Sequence, residues 1–506
     1  MRLTARLEWK EARDMMIKDV RQWLQAADED RELRAIKGAH WNLEMSGLVE
    51  ILYREGARPL PLVLFDEIPG YPAGFRTLFG VLASPRRLAR ALCLPHSDDP
   101  TALLQSWRAK MRALKGIPPK VVGTGPVMEN RLSGGEVNLE IFPSPFFHES
   151  DGGRYLGTGC SVILKDPDTG WVNVGTYRCM FVDRNRLALH MLESQHGAMI
   201  NEKYFSRGKA APVAVAIGVD PTLWFFSCDR MTPWGVSEYD YAGGTKGEPV
   251  EVIAAPYTGL PVPAHAEIVI EGECHPGELI DEGPFGEWHG YYANNALVPV
   301  PEPVIRVKGI LHRNDPILTC AQPTVPPSEM TAMSSFSRAA TLWDSLERFG
   351  ITGIQGVWGH EEGGGLLFLV ISIRQMYAGH SRRVGLTASQ VSVSASRYIV
   401  VVDDDIDPSN LGQVIWAIST RCDPQRSIQI LPSLGSSSND TTISPEEKRK
   451  YQTPPKPLYS ARAVIDACRP FEWRDEWYPL ARISSELRGK LIDKWHDLLG
   501  PLGLKK

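Results

Sequence analysis

The eight cysteines of this chain, Cys93, Cys160, Cys179, Cys228, Cys274, Cys320, Cys422 and Cys468, include no C-x-x-C pair. That absence argues against a zinc ribbon or an iron–sulfur site. Long apolar runs are missing too: the longest, such as 366–373, are far too short to span a bilayer. The first twenty residues mix Arg and Lys with Glu and Asp and hold no apolar stretch or small-residue cleavage site, so no signal peptide is expected. Charge of one sign is scarce. The net charge of -5 supplies no field to draw nucleic acid or an anionic membrane. No internal repeat stands out. Together these absences predict a cytoplasmic protein with no nucleic-acid or membrane partner, whose cysteines are reduced and mostly buried.

What is present is the composition of a globular protein. The 506 residues, 43% hydrophobic and 23% charged, are enough for two or three domains. The expected fold class is α/β, in an α+β multidomain arrangement. Residues 1–118 read as an N-terminal α/β subdomain, with helices at 9–27, 46–56 and 85–93 and a strand at 59–65. Residues 119–312 read as a β-barrel or sandwich. Short β-rich segments at 137–142, 159–164, 172–181, 187–192, 213–217 and 266–271 are separated by turn clusters, and a helix interrupts them near 197–205. From 303 the pattern alternates strand and helix. Strands are expected at 303–311, 366–373 and 398–402 and helices at 335–349 and 410–421, which places a C-terminal α/β domain at 313–433. Residues 434–506 read as a Ser- and Pro-rich linker followed by an amphipathic helix at 485–499. Its stripe of Leu487, Leu491, Trp495 and Leu498 suits a contact between subunits.

Five segments carry a more specific signal: NVGTYR (173–178), ESQHG (193–197), VSEYDYAGG (236–244), DEGPFGEWHGYY (281–292) and VVDDDIDPSNLGQVIWAISTRCDP (401–424). Each alone is weak. In this order and spacing they resemble the UbiD family of prenylated-FMN-dependent decarboxylases, from about residue 120 to 433 and more weakly before that. The resemblance implies a split β-barrel that binds prenylated FMN, and reversible exchange of CO2 with an aromatic, heteroaromatic or α,β-unsaturated carboxylic acid. It implies a divalent metal (Mn or Mg), leaves room for potassium as a monovalent cation, and calls for a flavin prenyltransferase to supply the cofactor. It also implies a homodimer or homohexamer.

The resemblance assigns roles that the chemistry of the residues supports. Asn173, His196 and Glu238 match a metal site against the cofactor phosphate. An amide oxygen, an imidazole and a carboxylate are mostly hard ligands, and a single carboxylate leaves positive charge for a phosphate to neutralise. Gln195 is expected near that phosphate, Val174 and Thr176 along the same segment, and Arg397 by a looser likeness. Arg178, Glu282 and Glu287 match the catalytic network. A guanidinium binds carboxylates bidentately and stays charged. Glu287 would protonate the carbon that loses CO2, which requires a raised pKa. Asn173 and Arg178 lie five apart, so strict strand alternation would point them to opposite faces. A bulge at Gly175 is the expected remedy. The Asp403, Asp404, Asp405 and Asp407 run reads as helix capping and ion pairing. The substrate pocket is expected to draw on 322–335, with Met330, Thr331, Met333 and no His, so the ring it accepts stays open. Three rivals remain: an FMN-dependent oxidoreductase on a split barrel, a non-catalytic accessory subunit, and a two-carboxylate hydrolase.

Overall fold

The computed structural model describes residues 17–56, 58–97, 99–228, 232–293, 298–391, 396–452 and 458–499. Among the described residues no helix is long and apolar enough to cross a membrane. All eight cysteines are free, five of them buried.

The N-terminal layer is a four-stranded sheet in the order Leu33–Lys37, Leu62–Asp66, Arg76–Phe79, Ile317–Cys320. The first helix spans Val20–Glu29, capped by Asp19, whose side chain accepts from Gln22 N–H. The stretch 9–16 of the longer helix expected here lies outside the described residues. The fourth strand arrives from far along the chain and pairs in parallel with Arg76–Phe79. Residues 317–320 therefore belong to this layer and not to the C-terminal domain. Nothing in their local sequence distinguishes the two, because strand pairing is a tertiary event.

The middle layer is the barrel. Its sheet runs Tyr155–Gly157, Arg178–Asp183, Arg186–His190, Val300–His312, Ile268–Glu282, Ala211–Ile217, Cys160–Lys165, Val172–Gly175, with Asn130–Ser133 also pairing to Val300–His312. The strand expected at 303–311 lies here, between two barrel strands, and not in the α/β layer. The stretch expected as a strand at 137–142 forms a 3-10 turn at Leu139–Ile141 instead, with Asn138 accepting from the Glu140 N–H. That local bond offers the backbone an alternative to a ladder. Val172–Gly175 and Arg178–Asp183 sit near opposite ends of the sheet, yet only Thr176 and Tyr177 separate them in sequence. The three Cα–Cα steps from Gly175 to Arg178 span at most about 11 Å, so the sheet has to curl until its ends meet, leaving a split between them. The expected single strand at 172–181 is thus two strands with a break, and no bulge occurs at Gly175, whose pairing with Val162 is in register.

The C-terminal layer is a five-stranded sheet in the order Ile354–Gly359, Phe368–Ile373, Tyr398–Asp403, Tyr459–Ala467, Ile428–Gly435. Alternate residues of its central strands enter different cores. Leu369, Ile371, Ile399 and Val401 pack on one side with Val384 and Ala388, and Val370, Val400 and Val402 on the other with Val414 and Ala417. Helices His380–Val391 and Leu411–Arg421 thus cover the two faces, which is why these strands read as continuous apolar runs. The acidic run pairs and caps: Arg421 bonds Asp403 and Asp405, and Asn410 caps the helix that follows. Tyr459–Ala467 pairs in parallel with Tyr398–Asp403. The segment expected as a linker therefore contributes a strand to the inside of this sheet. Its Arg462 and Asp466 disguised it, and both are used internally, Asp466 accepting from Ser381. The last expected helix is present as two pieces, Ser485–Lys494 and His496–Leu499, broken at Trp495.

Candidate active site

Two groups of side chains meet at the split in the barrel. The first lines a cavity of about 150 Å³ and includes Asn173, Thr176, Tyr177, Gln195, His196, Cys228, Thr232 and Glu238. Asn173 lies in the strand Val172–Gly175, and His196 and Glu238 are each the first residue of a helix, His196–Phe205 and Glu238–Lys246. Two helix N-termini thus face one cavity, a combination that favours an anion. Glu238 is 4% exposed. Its carboxylate accepts from Val174 N–H at 2.7 Å and Asn173 Nδ2 at 3.2 Å, both neutral donors. Burial pushes its pKa up to about 8. The Tyr177 hydroxyl donates to Asn173 Oδ1 at 2.8 Å and accepts from Gly197 N–H at 2.9 Å, fixing the amide. Burial lowers the pKa of His196, which keeps the imidazole neutral, the form that ligates metals. Thr232 Oγ1 is buried and has no hydrogen-bond partner among the described residues. A carboxylate without a cation, a neutral imidazole, an amide oxygen and an orphan hydroxyl are the donor set that a divalent cation with a bound phosphate would satisfy.

Some expected contributors are otherwise engaged. Gln195 lines this cavity, but its Oε1 accepts from Leu192 N–H at 2.7 Å. Val174 has a fully buried side chain and lends its N–H to Glu238. Thr176 donates its hydroxyl to Cys160 O at 2.8 Å. Arg397 does not reach this cavity. It pairs with Asp440 and lines a separate small cleft with Trp288, His289 and Asn439.

The second group is the predicted triad, and the structure brings it together. Arg178 opens the strand Arg178–Asp183, opposite His190, and Glu282 closes the strand Ile268–Glu282. Arg178 donates from Nε and Nη2 to the two oxygens of Glu282, both at 2.7 Å. The Tyr155 hydroxyl adds a bond to Glu282 at 2.9 Å, and the Phe285 ring lies 4.6 Å from the guanidinium. Burial pushes the Glu282 carboxyl up, but the Arg178 guanidinium more than offsets it and holds the pKa below its ordinary value. Glu287 is the other case. Its Oε1 is 3.7 Å from Arg178 Nη1, and burial outweighs that attraction, so its pKa is raised. The two neighbouring carboxyls are thus shifted in opposite directions, Glu282 toward its ionised form and Glu287 toward its protonated one, the separation that general-acid chemistry uses.

Glu287 sits in a tight loop. Its N–H donates to Tyr291 O at 3.1 Å, and its O accepts from Gly290 N–H at 2.8 Å. Gly290, at φ +86°, lies so close to Val325 that a Cβ would fall 2.6 Å from the Val325 Cα. Four residues here escaped sequence reasoning: Tyr155, Tyr177, His190 and Asn439. Tyr177 lay within a quoted motif. The other three come from distant segments with no local signature. Thr331 closes a capping box with Ser328, and Met333 is in the core. A histidine does approach this loop, but from elsewhere: His148 contacts the amide of Gln322 at 3.2 Å and lies beside Gly286.

The three-layer chain sets a half-buried Arg between two carboxyls at the split of its barrel, and comparison with known proteins gives its class. Family models for the N-terminal, Rift-related and C-terminal domains of 3-octaprenyl-4-hydroxybenzoate carboxy-lyase match residues 24–107, 120–326 and 331–467. The chain belongs to the UbiD family and is a carboxy-lyase of that family. It is 31% identical over 481 residues to the pyrrole-2-carboxylic acid decarboxylase of Pseudomonas aeruginosa, covering 90% of this chain and 93% of that one. It is 31% identical over 385 residues to a phenolic acid decarboxylase of Bacillus subtilis, covering 74% and 78%. The UbiD-class enzyme HmfF from Pelotomaculum thermopropionicum, solved in complex with FMN, superposes with a TM-score of 0.81 at 26% identity, covering 94% of this chain and 99% of that one.

Proposed function

We propose that this chain catalyses the reversible, non-oxidative decarboxylation of an aromatic, heteroaromatic or α,β-unsaturated acid with prenylated FMN. The observation that carries the reading is the bidentate Arg178–Glu282 pair with Glu287 held 3.7 Å from the same guanidinium. The relatives support it: one acts on pyrrole-2-carboxylic acid, others are phenolic acid decarboxylases, and an evolved dimeric HmfF was solved with prFMN. Bound in the barrel, the prenylated flavin would supply an electron sink for the carbon that loses CO2. Asn173 Oδ1, an imidazole nitrogen of His196 and the Glu238 carboxylate would hold a divalent metal, Mn or Mg, against its phosphate. Thr232 and the two helix N-termini would bind the phosphate itself.

The chain's own residues do the rest. Arg178 orients the substrate carboxylate by charge. Glu282 fixes the guanidinium plane and absorbs part of its charge, so that the carboxylate is held without being locked in place. Glu287, whose burial favours the protonated form, delivers its proton to the carbon vacated by CO2. In the carboxylation direction the same carboxylate removes that proton. An oxidoreductase would not need this network. The test is co-expression with a flavin prenyltransferase. The purified protein is expected to release a flavin heavier than FMN and to decarboxylate at least one acid in a broad panel. An intact prenylated flavin with no turnover of any acid refutes the reading. The exposed Leu487, Trp495 and Leu498 further support a homo-oligomer, dimeric or larger.

A further inference from the structure

The carboxyl of Glu287 is held from two sides. The barrel supplies Arg178, and the C-terminal sheet supplies a turn at 436–442 that follows the strand Ile428–Gly435. From this turn Asn439 Nδ2 donates to Glu287 Oε2 at 3.1 Å. The turn is firmly tied down. His289 Nδ1 accepts from Tyr291 N–H at 3.2 Å, so its Nε2 carries the proton and donates to Asn439 O at 2.9 Å. Asp440 accepts from the Thr442 hydroxyl at 2.7 Å and the Ser436 hydroxyl at 2.6 Å, and pairs with Arg397. One atom has nothing to do: Asn439 Oδ1 is buried with no hydrogen-bond partner among the described residues. A buried amide with a spent donor and an idle acceptor beside a titratable carboxyl is unusual, because buried acceptors are normally satisfied. It is resolved if the carboxyl exists in two states. The amide NH2 serves the ionised carboxylate, and after a rotation of the amide, Oδ1 accepts the proton of the acid.

We propose that Asn439 is a positioning residue of the decarboxylation site, through which the C-terminal layer holds the Glu287 carboxyl in both of its protonation states. The inference rests on the reading of Glu287 as the proton donor. It explains how a donor on a glycine-flanked loop keeps one orientation through a cycle in which it loses and regains a proton. It also makes the C-terminal layer part of the acid's environment, although the triad itself lies on the barrel.

The other charged groups that face Glu287 are Arg178 and His190 from the barrel strands, Glu282 from the start of its own loop, and Lys448 from the helix Pro445–Gln452. Substitutions at Asn439 leave all of them in place. The infrared band of a protonated carboxyl, assigned by its loss in Glu287→Gln, is followed against pH in the full-length protein with and without bound flavin. Asn439→Leu removes both bonds, and because the bond to the charged carboxylate is the stronger of the two, the midpoint is expected to rise, by up to about one pH unit. Asn439→Asp, which adds a like charge, raises it further. In the flavin-loaded enzyme the alkaline limb of kcat moves up with the band. Meanwhile kcat falls roughly tenfold and KM changes less than about threefold, as expected for loss of orientation at the reacting centre. Asn439→Gln, which keeps the amide on a longer arm, returns part of the loss. A midpoint in Asn439→Leu that is unchanged or lower overturns the proposal. That result is independent of turnover, so it is distinguishable from failure of the decarboxylase reading, which shows as wild type inert toward every acid.

Discussion

Replacing Glu287 by Gln separates the proton from everything else the residue does. The side chain keeps its length and its place, and its oxygen can still accept from Asn439 Nδ2, now at 3.1 Å. Arg178 does not depend on it. Both bonds of the guanidinium to Glu282 are 2.7 Å, whereas Glu287 stands 3.7 Å away, beyond hydrogen-bond reach. Substrate binding is therefore expected to change less than about threefold in KM. Turnover should fall by about 10²–10⁴-fold, the range for loss of a positioned general acid, or roughly 3–5 kcal/mol of barrel-side transition-state stabilisation. The stability effect has a definite sign. Burial raises the folded pKa of Glu287 above its unfolded value. Ionising it thus costs folding free energy, absent below the unfolded pKa and complete above the folded one. The Gln variant should melt like wild type in mild acid and above it at alkaline pH. The assay is turnover of the best acid in deuterated water, with deuterium counted at the decarboxylated carbon, and a melting series across pH. If the Gln variant decarboxylates and exchanges at the wild-type rate, Glu287 is not the acid and the argument from its burial fails.

Arg178→Ala should abolish turnover and lower stability by about 3–5 kcal/mol, because it leaves Glu282, with a side chain 0% exposed, without its partner; thermal melts read this directly, and an unchanged melt contradicts it. With Glu287 required in its protonated form, kcat for decarboxylation should be level in acid and decline as pH rises through its raised value; a profile that instead climbs with pH would assign Glu287 the role of a base. Chelation, or Asn173→Ala or Glu238→Ala, should release bound flavin into a desalting filtrate; full flavin retention without metal would remove the metal from the site. Truncation after Leu480 removes the exposed Leu487, Trp495 and Leu498 and should reduce the mass measured by light scattering; an unchanged mass places the subunit contact elsewhere.

The amino-acid sequence alone determined the class of the protein and the identity of its chemistry. NVGTYR, ESQHG, VSEYDYAGG and EGPFGEW each carry a candidate site residue in a short, ordered context, and Asn173, His196 and Glu238 do line one cavity while Arg178, Glu282 and Glu287 do meet. Local periodicity also found helices such as Glu44–Arg54, Glu329–Arg348 and Leu411–Arg421, though not Pro100–Ala113 or His380–Val391, and the inner strands at 366–373 and 398–402, since a strand buried on both faces is apolar throughout. What only the tertiary structure decided was who pairs with whom. Ile317–Cys320 joins the first sheet and Tyr459–Ala467 the last, across long separations that no window of sequence registers. The parity conflict between Asn173 and Arg178 was resolved by breaking the strand at Thr176 and Tyr177 and closing the sheet on itself, not by a bulge. The environment that sets apart two chemically identical carboxyls was likewise tertiary. Glu282 receives Arg178 and Tyr155, and Glu287 receives burial and Asn439, from segments more than a hundred residues away in each case. Side-chain chemistry is written locally, but a pKa depends on the dielectric and the charges within a few ångströms, and only the folded chain brings those into place.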